Sequence, residues 1–330
     1  MVEKLKISVV IATYNGQKFL LEQLNSIKNQ SREPNEVIIQ DDNSTDGTAE
    51  MISNYIKTNN LTNWKLIINN HNMGWRKNFI SVLQKATGDI IFLSDQDDIW
   101  YSTKIDLMTK EFEKNDNIKV LSSDYEEMIH DGGRSFPLQK YSYIKEYDSD
   151  HILFRKKNSF QLRPGNTYAV RKSFISPIVD FFYLNPNVPH DSSIQYVAYL
   201  YDGLYNYPFK VGIWRKWGGS SFEREYTTKK TKAYKSKLID ATNYYQGYLD
   251  RYSSMKNYIN EKKVIKLDSN EYKLIENNIC KFERIIEEFR GPKVINFKIK
   301  LTDLPIRVFL GMVKNKIMIY YYDNNEANND

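Results

Sequence analysis

The 330-residue sequence holds a single cysteine, Cys280, so it can form neither an internal disulfide nor a multi-cysteine metal cluster. That usage suits a reducing compartment. No stretch approaches the ~18 consecutive apolar residues of a membrane-spanning helix. Met1–Lys6 leads straight into a short apolar strand, with no secretory leader pattern. The expectation is a soluble, cytoplasmic protein that at most touches the inner face of the cell membrane. The four histidines show no paired spacing for zinc. Nor is there a Gly-rich loop of the P-loop or dinucleotide type, which weakens kinase and dehydrogenase readings. A net charge of +6, without a basic stripe interleaved with aromatics, argues against nucleic acid as a partner. Internal repeats and low-complexity tracts are absent, apart from a polar tail after Asp323.

Tyrosine, by contrast, is plentiful at 25 residues. Its ring offers an apolar face with a polar tip, a common grip for sugars and bases. A low-GC genome would enrich Tyr, Lys, Asn and Ile alike, so composition alone does not choose. Order along the chain says more. Apolar runs of strand length at Ile7–Ile11, Val37–Ile39, Lys65–Ile68 and Asp89–Leu93 alternate with helical patterns. Leu20, Leu24 and Ile27 mark the first helix, Ile52, Tyr55 and Ile56 the second. Phe79, Val82, Leu83 and Ala86 mark a third that should stop at Gly88. A fourth is expected to start near Ser102. Short links between such units predict an α/β fold: a mostly parallel, mixed sheet with helices on both faces. The pattern loosens from about Val120 to Ser221 and turns lysine-rich and helical after Glu223. A soft boundary near 225 divides a region of residues 1–225 from a basic, helical region of residues 226–330.

In open α/β sheets ligands bind beyond the carboxyl ends of the strands, and the unusual polar residues stand there. Thr13 and Tyr14 follow strand one, Asp41 and Asp42 strand two, Asn72 and Gly74 strand three, and Asp95-Gln96-Asp97-Asp98 strand four. Tyr14 could stack on a base, and Asp42 could accept the N3–H of uracil or thymine. Asp41 and Asp42 could equally cap the helix ahead of Thr45. Three carboxylates in four residues repel one another unless a cation offsets them. Oxygen-only ligands suit Mg²⁺ or Mn²⁺, which complete their shells with water and phosphate oxygens. A solvated acidic turn is the plain alternative.

The segments Ile7–Gly16, Asp41-Asp42-Asn43-Ser44-Thr45-Asp46-Gly47, Asn72-Met73-Gly74, Gly88–Leu93 and Asp95-Gln96-Asp97 together resemble the family 2 glycosyltransferases of the GT-A (Rossmann-like) fold. The ending Asp97-Asp98-Ile99-Trp100 is most similar to the bacterial branch with rhamnosyltransferases and related polysaccharide enzymes. The likeness is strong over residues 5–110, thinner to about 221, and absent from the last hundred residues. It implies an inverting transfer of one sugar from a UDP-sugar or dTDP-rhamnose to a carbohydrate hydroxyl, with Mn²⁺ or Mg²⁺. By that resemblance Asp42 reads the base and Tyr14 helps hold it, with Thr13 and Asn72 among the residues that bind the nucleotide sugar. Asp95 and Asp97 form the Asp-X-Asp motif, with Asp97 the direct metal ligand. Pro164-Gly165-Asn166-Thr167 is similar to the loop beneath the transferred sugar. His190-Asp191 stands where the family often carries Glu-Asp, whose Asp is the base; His190 then either supports the site from behind or contacts the acceptor, rather than binding metal. Asp191 could also be the N-cap of a helix over Ser192–Leu200. Arg215, in Trp214-Arg215-Lys216-Trp217, could close over the diphosphate or simply sit on an edge strand.

Two rivals remain. A nucleotidyltransferase would need a basic, Gly-rich loop after strand one, but Ala12–Gly16 has one Gly and no cation. A non-catalytic sugar-nucleotide-binding scaffold on the same fold should have lost its acids, yet Asp42, Asp95, Asp97 and Asp191 are all present. In the C-terminal region, Arg290–Tyr322 carries seven Lys or Arg and one acid among apolar residues. Such a stretch could lie on an anionic leaflet near a lipid-linked acceptor, pack on the transferase domain, or form a homodimer contact.

Overall fold

A computed structural model describes residues 4–130, 132–133, 135, 144–146, 149–153, 158, 163–220, 236–262, 267 and 269–290, with residues 144–146, 236–244 and 288–290 described by backbone alone. The chain forms two compact units, Met1–Ser220 with Tyr258–Glu271, and Ser221–Asn257 with Tyr272–Asp330. The basic stretch Arg290–Tyr322, the tail after Asp323 and most of the lysine-rich segment after Glu223 lie outside the described residues. Among the described residues no helix is long and apolar enough to cross a membrane.

The first unit is built on a ten-stranded sheet. Its strands are β1 (Ile7–Thr13), β2 (Glu36–Asp41), β3 (Trp64–Ile68), β4 (Ile90–Ser94), β5 (Ile99–Trp100), β6 (Val120–Ile129), β7 (Ile144–Glu146), β8 (Ser149–His151), β9 (Ala169–Arg171) and β10 (Leu204–Lys216). The order is β3-β2-β1-β4-β9-β6-β10-β8-β7, with β5 paired to β10. β1 runs parallel to both β2 and β4, and β2 to β3. β9 is antiparallel to both β4 and β6, so β6 points the same way as β4. β10 is parallel to β6. Six strands therefore end on one rim, and the chain order switches sides at β1, between β2 and β4. A crevice opens at such a switch.

The helices of the first half are α1 (Gln17–Lys28), α2 (Thr48–Thr58), α3 (Trp75–Lys85) and α4 (Lys104–Lys114). They form because apolar residues recur at helical spacing. α1 buries Phe19, Leu20, Leu24 and Ile27, and α4 buries Ile105, Met108 and Phe112. These stripes pack on strands whose side chains are buried on both faces, such as Ile7, Val9, Val10 and Ile11 of β1. α3 ends at Lys85, three residues before the expected Gly88, because Ala86 turns extended. α5 (Ile175–Leu184) and α6 (His190–Leu200) follow β9. α6 begins two residues before the expected Ser192, behind Pro189. It is buried nearly all round, from Ser192 to Leu200, which anchors its first turn.

In the second unit, α8 (Ser269–Arg290) brings Phe282 against Tyr245, Tyr248 and Tyr252 of α7 (Ser236–Lys262), with rings within 6.0 Å and near-parallel. Lys256 of α7 also pairs with Glu276 of α8 at 3.0 Å.

Candidate active site

The rim assembles from loops that are knitted to one another. Thr13 Oγ1 at the end of β1 donates to Asp41 Oδ1 at 2.8 Å, and Ser44 N–H and Oγ bind the same carboxylate. Asn15 N–H donates to Ser44 Oγ, and Thr45 N–H to Asn15 Oδ1. Asp41 is therefore a buried brace between the β1 and β2 loops and does not cap α2. Gln96 clamps the backbone of Tyr14, accepting its N–H at 2.9 Å and donating to its carbonyl at 3.2 Å. The Tyr14 ring is left 39% exposed on the rim.

Asp42 is 1% exposed. Its Oδ1 accepts Asn69 Nδ2–H at 2.8 Å and Met73 N–H at 2.9 Å; its Oδ2 accepts Gly74 N–H at 2.8 Å. Gly74 has φ +86°, a left-handed backbone that suits glycine, and this turn aims two N–H groups at one carboxylate. Asn72, exposed, fastens the same turn by accepting Gly74 N–H at 3.0 Å. A carboxylate oxygen can take a second donor, so Oδ2 keeps acceptor capacity for an imide N–H.

The loop after β4 concentrates negative charge. Burial, then the charges of Asp97 and Asp191, push the Asp95 carboxyl up to about 7, against the Asn166 N–H and Lys104. Burial also raises Asp97, although Trp217 Nε1–H donates to its Oδ2 at 2.7 Å and Arg215 lies near. Asp191 stands in the first turn of α6, where burial raises its carboxyl against the Ser192 N–H (2.6 Å) and the charge of Arg76. Since Pro189 occupies the N-cap position, Asp191 is not the helix cap that the sequence allowed. The structure thus brings Asp95, Asp97 and Asp191 together.

Arg215 is placed differently from the sequence expectation. Its Nε–H donates to the Asp97 carbonyl at 2.7 Å, its NH2 pairs with Glu22 at 2.6 Å, and the guanidinium lies 4.2 Å over Phe19. A buried guanidinium so engaged braces the acidic loop from behind and is not open for a diphosphate. Trp217 does hold the loop, from the same segment.

Asn166 and Gly165 sit in a short 3₁₀ turn, Gly165–Thr167. A Cβ on Gly165 would lie 2.6 Å from His190 Nε2, so only glycine fits. His190 is 5% exposed, stacked on Phe79 at 3.9 Å and edge-on to Trp75. Burial, with Arg76 nearby, holds its imidazole down at about 3, so it is neutral. His190 therefore seats the Gly165 turn beside Asp191 and is itself covered.

Sequence reasoning missed Gln96, Asn69 and, above all, Lys104. Lys104 is 2% exposed; burial lowers its ammonium to about 7, against Asp98 and Asp95. Asp98, fully buried, is pushed up by burial and by Asp97 and Asp95. One signal was available: Lys104 falls on the same helical stripe as Ile105, Met108 and Phe112.

A Mycobacterium tuberculosis protein is 28% identical over 176 residues, 52% of this chain and 51% of the relative. The putative glycosyltransferase EpsE of Bacillus subtilis is 32% identical over 118 residues, 36% of this chain and 42% of the relative. The GalNAc(5)-diNAcBac-PP-undecaprenol beta-1,3-glucosyltransferase of Campylobacter jejuni is 32% identical over 106 residues, 32% and 34% of the two chains. The chain thus spans about half the length of its mycobacterial relative and less of the others. Among solved structures, Staphylococcus aureus TarS 1–349 in complex with UDP-GlcNAc superposes with a TM-score of 0.58 over 90% of this chain and 77% of that one, at 19% identity. The mannosyltransferase PcManGT of Pyrobaculum calidifontis, in complex with GDP-Man and Mn²⁺, gives 0.51 over 85% and 70%, at 14% identity. Both share the fold. Residues 8–174, about half of the chain, match the family model for glycosyl transferase family 2, and the chain belongs to that family.

Proposed function

We propose that the chain transfers one sugar from a uridine or thymidine diphosphate donor to a hydroxyl of a carbohydrate acceptor, with inversion at the anomeric carbon. The observation that carries this reading is the meeting of Asp95, Asp97 and Asp191 on the same strand-end rim as Asp42 and Tyr14. TarS, a structural neighbour, is solved with UDP-GlcNAc, which favours uridine as the base. In this reading Tyr14 stacks on the base and Asp42 Oδ2 accepts its imide N–H. Asp191 takes the proton of the attacking hydroxyl as the new bond forms. A burial-raised carboxyl suits that task, because a base works best when its pKa nears the working pH.

A divalent ion, Mn²⁺ or Mg²⁺, fits the donor set. Asp95 and Asp97 offer hard oxygen ligands, and their mutual repulsion is what a cation relieves. Among the described residues no group of three or more His, Cys, Asp or Glu is arranged to hold a metal, so two carboxylates would hold the ion with water and diphosphate oxygens. Bound there, it would supply Lewis-acid stabilisation of the leaving diphosphate.

The test is a panel of UDP-, dTDP- and GDP-sugars, scored for release of nucleoside diphosphate with and without metal, followed by NMR of the product. Release from a uridine or thymidine donor and an inverted anomeric centre are expected. Retention of configuration would remove the single-displacement mechanism, and no release from any donor would favour the sugar-nucleotide-binding scaffold.

A further inference from the structure

Asn166 is tied at three points. Its N–H donates to Asp95, its Nδ2–H to Asp98 Oδ2, and its carbonyl accepts Lys104 Nζ at 2.5 Å. Asp98 is closed on its other side by the N–H of Arg215 at 2.8 Å. Lys104 lies 4.0 Å over the indole of Trp100. One residue before Asn166, Gly165 rests against His190, the neighbour of Asp191. A continuous chain of contacts therefore runs from the acidic loop through the Gly165–Thr167 turn to Asp191.

Burying an ammonium and a carboxylate is costly even when they are paired, and apolar residues of similar volume would often serve stability as well. Position 104 lies among Ile105, Met108 and Trp100, where a methionine would pack without desolvating a charge. What an apolar side chain cannot do is donate to the Asn166 carbonyl while facing Asp98. Directional hydrogen bonds within a buried cluster restrict its geometry more than apolar packing does, although Asn166 Oδ1 itself has no partner among the described residues.

We propose that Lys104, acting with Asp98, is a positioning residue that holds the Gly165–Thr167 turn against the acidic loop and so sets Asp191 in register with the diphosphate side of the site. The inference rests on the proposed function, since the register matters only if Asp191 and the acidic loop share one reaction. Lys104 is too buried for a substrate to reach it, so its influence passes through Asn166.

The experiment compares wild type, Lys104→Met and the double variant Lys104→Met/Asp98→Asn. In Lys104→Met, kcat should fall about 10- to 100-fold, the usual consequence of a small misplacement. Binding of UDP in excess chelator, which reports the Asp42 side, should change by less than about threefold. Hydrogen exchange should quicken at Asn166, Thr167 and Tyr168, and stay unchanged at Ser44 and Gly74. The double variant removes both members of the Lys104–Asp98 pair, so it should fold even if Lys104→Met does not, and still lose turnover for want of a donor to Asn166. A folded variant with wild-type kcat and wild-type exchange at residues 166–168 overturns the proposal. Were wild type inert toward every donor, the proposed function would fall, and exchange at residues 166–168 alone would decide the fate of the turn.

Discussion

Asp42 and Asp95 are both aspartates at the carboxyl ends of parallel strands, β2 and β4, that flank β1, yet their surroundings oppose each other. Asp42 is met by Asn69 Nδ2–H and two backbone N–H groups. Asp95 is met by Asp97 and Asp191, with Lys104 and one N–H as partial relief. The first corner is a frame that is complete as folded and can shape itself to a neutral base. The second holds charge in tension, which a bound cation would relieve. A fold can combine the two because every parallel strand delivers its loop to the same rim, while each loop finds its own partners.

The comparison breaks most visibly at the acidic corner. Asp97→Ala should leave the fold intact and reduce transfer below detection. In the proposed function it would remove a metal ligand worth several kcal/mol of transition-state stabilisation, roughly a thousandfold or more. Full activity in excess chelator would show that no ion works there. At the other corner the loss should be smaller and of another kind. Asp42→Asn should weaken UDP binding about 10- to 100-fold, the worth of a hydrogen bond to a charged group, with turnover at saturation nearly kept. A variant that binds UDP as tightly as wild type by calorimetry would take Asp42 out of base recognition.

The opposite end of β2 sharpens the contrast. Burial pushes the Glu36 carboxyl up, but hydrogen bonds from Ser8 and Thr87 outweigh it, and the net shift is downward from 4.5. A depressed carboxyl stabilises the fold above its unfolded pKa and loses that contribution as pH falls through its folded value. Glu36→Gln should therefore cost about 1 kcal/mol at pH 7 and almost nothing once pH is well below 4.5. Turnover should not change. Chemical denaturation at pH 7 and at pH 3 measures the difference, and an equal penalty at both would contradict the assignment.

The strands β1, β2 and β4 were legible in the sequence because a strand buried on both faces reads as an unbroken apolar run, as Val37-Ile38-Ile39 and Ile90-Ile91-Phe92-Leu93 do. The rim acids were legible because they follow those runs directly. The partners that define each acid were not. Arg215 meets the Asp97 carbonyl across 118 residues, and Lys104 meets Asn166 across 62. Such pairs depend on the register of β10 and the path through β9, which no local pattern encodes. Arg215 looked like a diphosphate ligand because a basic-aromatic pair has the right chemistry. Only the placement of Glu22 and Phe19 around it turned it into a brace. The helix start at His190 was hidden for a smaller reason: Pro189 reads as a break, although proline is at home at a helix entrance.

The central claim is that Asp191 is the base in a single in-line displacement, and turnover of Asp191→Asn at saturating donor tests it most directly. Asn keeps an oxygen for the Ser192 N–H and preserves the first turn of α6, but it cannot take a proton from the acceptor hydroxyl. The account predicts a fall in kcat on the order of 10²–10⁴-fold with donor affinity nearly unchanged. An Asp191→Asn protein that turns over as fast as wild type would contradict it.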